Sequence, residues 1–377
     1  MENPTGNRSL SLFNRLMMVV SLLVSSALLA SLACSYLSPS DFWPSWFIAT
    51  GFSILAGIEI LILLYWLVVM RWPLIIPLIS LAICIVQINR LVQFRVPLNE
   101  GEKNAAEGIH VMSYNVHLFD WYNWRNPWEK RNKILDQIKD SKPDIICFQE
   151  FFNSPKDKFI TLDSILAQNG LKFFYFEKYV LKKPFKGYGM MIFSRWPIVY
   201  RGRFDFKGSR GNAATFADVL IEEDTIRIYN LHLESNRLKP EDYAFIQDVE
   251  EGKSDLKKNS LRSLATRLKS AAELRALEAD TVAMHIAQSP HPVIVCGDFN
   301  DSPTTYTYNR IAAGLNDAFI QKGVGLGQTY VGTAPSFRID YILHHPEMQT
   351  TLFETHPEEL SDHHAISAKI KLRKKEF

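Results

Sequence analysis

Cysteine is sparse and unpaired in this chain. Its four residues, Cys34, Cys84, Cys147 and Cys296, form no CxxC pair, which argues against a disulfide framework and a thiolate metal site. Cys34 and Cys84 lie in apolar runs, and Cys147 and Cys296 in strand-like runs where a small apolar side chain packs well. Neither a GxSxG elbow nor a P-loop occurs, so those nucleophile and nucleotide chemistries drop out. HExxH and Cys/His clusters are also missing, which disfavours zinc. The formal net charge is only +2 over 377 residues, too little to mark a nucleic-acid binder by composition.

Charge itself is missing from long stretches of the first hundred residues. Residues 16–37 and 72–88 carry no charged side chain, and residues 46–70 carry only Glu59. A bilayer core takes about 20 apolar residues per helix, so three membrane-spanning helices are expected. A cleaved signal peptide competes for the first run, because small residues surround Cys34; the run is long for a signal core, and two more follow. Glu59 is expensive inside a span unless protonated, paired or turned to another helix, and helix packing is its expected role over a functional one.

Arg8 and Arg15 precede the first span, Arg71 separates the second from the third, and residues 38–45 hold no Lys or Arg. That bias orients the amino terminus to the cytoplasm and the soluble part outside. Arg90, Arg95 and Lys103 after the third span argue the other way. The expected organisation is a membrane domain over 1–95, a polar linker over 96–108 and a catalytic domain over 109–377. The whole is an integral protein of a plasma or inner membrane, with an extracytoplasmic catalytic domain.

What remains alternates strands and helices. A strand is predicted over 109–116, a helix over 128–139, a strand over 144–149, a helix over 156–168, further strands up to His232, and a long helix over 258–287. Six short blocks punctuate it: YNVH (114–117), DIICFQE (144–150), NLHLE (230–234), GDFND (297–301), RIDYI (338–342) and SDHH (361–364). Each sets an acid, amide or histidine at or near the end of an apolar run, so the polar groups are expected on one rim of a sheet. Residues 182–187 and 234–259 read as solvated loops beside it.

Glu150 closes a run that should be buried, where a lone carboxylate costs several kcal/mol unless compensated. Asn115, Glu150 and Asp362 make an oxygen-rich set suited to a hard cation, Mg²⁺ with Mn²⁺ as the alternative. Asp298 and Asn300, two residues apart, offer a proton acceptor for water and a donor to a phosphate oxygen. Asp340 and His363 form a carboxylate–imidazole pair, and His232 ends another strand. Together these meet the needs of phosphate-ester hydrolysis by direct attack of water.

In that combination the blocks resemble the endonuclease/exonuclease/phosphatase superfamily over roughly 109–372, nearly all of the soluble part. The resemblance implies a four-layer α/β sandwich and Mg²⁺-dependent hydrolysis of phosphoesters. It carries Asn115 and Glu150 onto the metal site, Asp298 and Asn300 onto the water-activating and phosphate-contacting pair, Asp340 onto the histidine-orienting carboxylate, and Asp362 and His363 onto the closing motif. His232 is similar to the histidine of the DNase I and sphingomyelinase branches, where abasic-site endonucleases differ.

The expected activity is therefore a membrane-tethered phosphodiesterase or phosphatase acting on a lipid headgroup, an inositol phosphate or another phosphoester, with no obligate protein partner evident. A cell-surface nuclease and a non-catalytic membrane scaffold are the alternatives. His117 and Asp120 are read as ordinary loop polarity and His364 as facing away from the site. The aromatics Phe119, Trp121, Tyr122, Trp124 and Trp128 either grip a lipid or base, or cover the core. Lys178, Lys182, Lys183, Lys186 and the KLRKK tail are read as a solvated charged face.

Overall fold

The computed structural model describes residues 10–123, 127–154, 159–179, 187–206, 212–238, 241–242, 258–331 and 338–372. Trp124, Lys182, Lys183, Lys186, most of the KLRKK tail and much of the 234–259 stretch lie outside them. The amino-terminal region is helical: α1 (Leu12–Cys34), α2 (Pro44–Thr50), α3 (Phe52–Val69), α4 (Ile75–Ile83) and α5 (Ile85–Leu91). Among the described residues only α1 and α3 are individually long and apolar enough to cross a membrane. The third expected span is a bent pair, turned by 64° at Cys84. There the backbone leaves helical values (φ −87°, ψ 4°), and the second half of the pair swings Gln87 and Arg90 onto the soluble part.

Glu59 is fully buried between these helices, and the hydroxyls of Ser25 in α1 and Ser80 in α4 both donate to its Oε1. That satisfies the packing role expected for it. The polar stretch that follows contains α6 (Glu100–Ala105), begun by a capping box in which Asn99 and Glu102 bond each other's backbone N–H.

Two six-stranded sheets then pack face to face. The first runs β11-β12-β1-β2-β4-β3 and the second β5-β6-β7-β8-β10-β9. Their strands are β1 (Ile109–Asn115), β2 (Ile145–Phe152), β3 (Phe173–Lys178), β4 (Tyr188–Ser194), β5 (Ile198–Asp205), β6 (Ala213–Ile221), β7 (Asp224–His232), β8 (Val293–Asp298), β9 (Asn316–Asp317), β10 (Asp340–His344), β11 (Met348–Thr355) and β12 (Ile366–Leu372). Helices α7 (Pro127–Ser141) and α8 (Leu162–Asn169) cover the first sheet, and α9 (Lys258–Ala287) and α10 (Tyr306–Ile311) the second. The result is the expected four-layer α/β sandwich. The α9 bounds match the predicted helix, whereas α8 begins at Leu162 rather than 156 and residues 155–158 are outside the description.

Period-two alternation decides what each strand turns inward. Val111, Ile145, Cys147, Ile228, Ile294, Cys296 and Ile342 fill the space between the sheets, while Met112, Tyr114, Ile146 and Phe148 face α7 and α8. The same parity carries Asn115, Asn230, His232, Asp298 and Asp340 to the inter-sheet side, at strand ends where the apolar filling stops. Two amides tie the sheets together just beneath that rim. Gln149 Nε2 donates to Asn230 Oδ1 at 2.7 Å, and Asn230 Nδ2 donates to the carbonyls of Phe148 and Met191 at 2.9 and 3.1 Å.

Candidate active site

Three adjacent strands bring three predicted residues side by side. In the parallel pairing of β7 and β8, His232 stands opposite Asp298; in the antiparallel pairing of β8 and β10, Asp298 stands opposite Asp340. Gly297 lets β8 lie this close, because a Cβ there would sit 2.1 Å from the Leu231 carbonyl oxygen and its φ is +142°. Asp298, Asp340, His363 and His232 are all buried.

The first sheet faces them with Asn115, whose Nδ2 donates to Asp298 Oδ2 across 3.1 Å. Ser361 Oγ donates to the Asn115 carbonyl at 2.8 Å, which ties the SDHH turn to the end of β1.

Glu150 arrives by a different route. Alternation from Ile145 would point it outward with Ile146 and Phe148, away from the site. Instead the β2–β4 pairing shifts register between Phe148 and Phe151, and Glu150 has φ +53°. A bulge with one left-handed residue re-aims the side chain at a cost of about 1 kcal/mol or more, an expense typical of functional positions. Asn300 is also left-handed, at φ +52°. It lies past the strand end, so its convergence with Asp298 comes from a turn rather than from strand parity: its backbone N–H donates to Asp298 Oδ1 at 2.8 Å. Its Nδ2 donates to Asp298 Oδ2 at 3.2 Å and to the Leu233 carbonyl at 3.0 Å.

The two histidines are shifted in opposite directions. Burial pulls His363 down, but the carboxylates of Asp340, 2.8 Å from Nδ1, and of Asp298, 3.7 Å from Nε2, raise it well above its ordinary value. Burial lowers His232, which is neutral; its Nε2 lies 3.8 Å from Glu150 and 3.9 Å from Asp298. Burial likewise pushes the Asp298 carboxyl up to about 6.

Asp298, Asp340 and His363 present ligand atoms within 4.8 Å of one another, a set that can geometrically hold a metal. Two of these ligand atoms, Asp340 Oδ2 and His363 Nδ1, already bond each other at 2.8 Å. Glu150 and Asp362 fit one better. Burial raises the Glu150 carboxyl, and its side chain, 23% exposed, has the His232 ring nitrogen only at a distance too long for a hydrogen bond. Asp362 is open to solvent, with His117 Nδ1 3.6 Å from its Oδ1. Asn115 Oδ1 accepts the His117 backbone N–H at 3.1 Å and keeps a second lone pair. These oxygens are the chemistry of a hard divalent cation.

Sequence reasoning missed several neighbours. His117, read as loop polarity, reaches the Asp362 side of the site. Thr329 Oγ1 accepts the backbone N–H of Asp340 at 3.1 Å, and Tyr179 OH lies 3.5 Å from His232 Nδ1. No local pattern marks either, since both act through tertiary contact. Phe119 is wholly buried and Trp121 packs on Phe152 and Phe159, so these aromatics cover the core; Trp128 joins them with its outer face exposed. Lys178 is exposed and lies over the Phe176 ring.

Solved structures share this architecture. An endonuclease/exonuclease/phosphatase from Beutenbergia cavernae superposes with a TM-score of 0.52 at 17% identity, covering 71% of this chain and 72% of that one. A family protein from Leptotrichia buccalis gives 0.51 at 16% identity over 70% and 100% of the two chains. A humanized D. rerio TDP2 gives 0.50 at 16% over 70% and 98%. No curated protein matches the chain at a significant level. Residues 14–91 match a domain of unknown function. Residues 112–363, two-thirds of the chain and every block around this rim, match the Endonuclease/Exonuclease/phosphatase family. The chain belongs to that family, whose members are metal-dependent phosphoester hydrolases.

Proposed function

We propose that the protein is a membrane-tethered phosphoester hydrolase that uses Mg²⁺, with Mn²⁺ as a substitute, to cleave a phosphoester carried on a lipid headgroup, inositol-phosphate headgroups included. The observation that carries the chemistry is the buried Asp298 beside the His363–Asp340 pair. Asp298 accepts the proton of an attacking water, held in line by the amides of Asn115 and Asn300. Charged His363 faces the phosphoryl oxygens and leaving group, and Asp340 fixes its tautomer. Glu150, Asp362 and Asn115 would hold the cation, which supplies positive charge against the phosphate. Neutral His232 borders the same space as a hydrogen-bonding group.

Three docking points support the tether, read as a membrane domain over 1–95, a linker over 96–108 and a catalytic domain over 109–377. Asn309 Nδ2 donates to Ser35 at the end of α1, Thr304 Oγ1 donates to Ala49 in α2, and Gln87 Nε2 in α5 donates to Thr304. The end of α1, the entry to α3 and the end of α5 thus lie on the catalytic side, as three crossings require. Arg15 and Arg71 fall at the other ends of the helices, which favours a cytoplasmic amino terminus and an extracytoplasmic catalytic domain. Arg90 and Arg95 carry little weight against this, because the catalytic domain engages both: Arg90 Nη1 bonds Asn309 Oδ1, and Arg95 Nη2 donates to Ile320 at 2.7 Å.

The test is the full chain in nanodiscs with Mg²⁺ or Mn²⁺, offered phospholipids, phosphoinositides and DNA. Chelator-sensitive release of a lipid headgroup or its phosphate is expected. Hydrolysis of DNA alone converts the reading to a nuclease, and inertness toward every substrate leaves a scaffold.

A further inference from the structure

The helical bundle reaches the catalytic rim through one buried carboxylate. Asp301 closes the GDFND block next to Asn300 and is 4% exposed. Trp46 Nε1, from α2, donates to its Oδ1 at 2.9 Å, and Arg275 Nε, from α9, lies 3.4 Å from its Oδ2. Arg275 is wholly buried; its Nη1 donates to the Glu234 carbonyl at 2.8 Å and to Asn236 Oδ1 at 2.9 Å, and its guanidinium lies 5.6 Å from the Trp46 ring. Tyr341 OH lies 2.8 Å from the Asp301 carbonyl and 2.7 Å from the Arg338 carbonyl, with one proton to share between them. The chain segments just after His232 and Asp298 and on either side of Asp340 are therefore clamped at Asp301, and one arm of the clamp comes from the membrane region.

We infer that Trp46 is a positioning residue of the catalytic centre: through Asp301 and Arg275, the membrane bundle holds the Asp298–Asn300 turn in its productive geometry. The bundle is then part of the catalytic unit rather than a passive anchor. This rests on the hydrolase reading above. A buried carboxylate that loses one of its few donors shifts toward the rest, and small displacements at a catalytic group cost far more in turnover than in binding.

The experiment uses full chains in nanodiscs, with bis(p-nitrophenyl) phosphate and Mn²⁺. Trp46→Phe keeps the ring and removes the N–H. It is expected to lower kcat at least about tenfold with KM little changed. Asp301→Asn should do the same, and the double variant should lose no more than the worse single, because both act through one contact. Arg95→Ala loosens the same bundle–domain contact away from Asp301 and should leave kcat near wild type. Hydrogen exchange at the Asn300 and Ser302 amides, read without substrate, should rise in Trp46→Phe. Wild-type kcat and exchange in Trp46→Phe, losses that multiply in the double variant, or an equal loss in Arg95→Ala would each overturn the inference. An inert wild type sinks the hydrolase reading instead, and the exchange measurement then decides the coupling alone.

Discussion

In the amino-terminal helical bundle a single acid, Glu59, is buried among apolar helices and met by the hydroxyls of Ser25 and Ser80. At the candidate site Asp298 is as deeply buried, yet its neighbours are Asp340, Glu150 across His232, and His363. The first arrangement meets a carboxylate with neutral donors and does nothing further. In the second, burial pushes the Asp298 carboxyl up to about 6, and the neighbouring Asp340 carboxylate adds to the rise. The His363 ring, 2.8 Å from Asp340 and 3.7 Å from Asp298, meets two of those carboxylates from one side. Burial is common to both acids; what differs is the set of ionisable neighbours.

The largest expected effect comes from removing that company. Asp298→Ala and His363→Ala should each cut turnover of a phosphodiester by about a thousandfold or more, while circular dichroism shows an unchanged fold. Turnover undiminished in both variants would put the chemistry elsewhere. Asp340→Asn keeps the shape but not the charge that holds His363, and a loss of about a hundredfold in kcat is expected. A variant as active as wild type would show that His363 needs no orienting partner.

A third buried acid, Glu278 in α9, sharpens the comparison through stability. Its Oε2 accepts the Glu234 backbone N–H at 2.7 Å, and burial raises its carboxyl from 4.5 to about 7. Between those values the unfolded chain releases the proton first, so ionisation favours unfolding. This contribution to stability is complete below about 4.5 and is lost as pH rises to about 7, by at most about 3 kcal/mol. Buried His110, lowered to about 4, slopes the opposite way over much of that window. The test is therefore the difference between wild type and Glu278→Gln in denaturant midpoints from pH 4.5 to 7. The variant should gain on the wild type as pH rises, and a constant difference would remove Glu278 from the account.

The strands ending in polar residues were legible because alternation is local: the parity of β1, β7, β8 and β10 alone sends Asn115, His232, Asp298 and Asp340 to the inter-sheet side. The α9 helix was legible for the same reason. Glu150 was legible as a residue but not as a geometry, since parity points it outward and only the bulge against β4 corrects this. The bend at Cys84 and the Trp46–Asp301 contact, 255 residues apart in sequence, were invisible. Both answer to docking between distant segments, and no window of sequence contains both partners.

The smallest expected effect lies in the bundle. Glu59→Gln keeps an acceptor for Ser25 and Ser80, and Glu59→Leu frees hydroxyls that can turn to their own helices, the Pro77 carbonyl lying 3.0 Å from Ser80 Oγ. Hydrogen bonds between membrane helices are worth about 1 kcal/mol or less, so thermal melting in micelles should move by only a few degrees for either variant, with turnover unchanged. Loss of turnover in Glu59→Gln, with melting intact, would break the contrast between the two regions, because an acid whose donors are two bundle hydroxyls would then be acting on the chemistry at the rim.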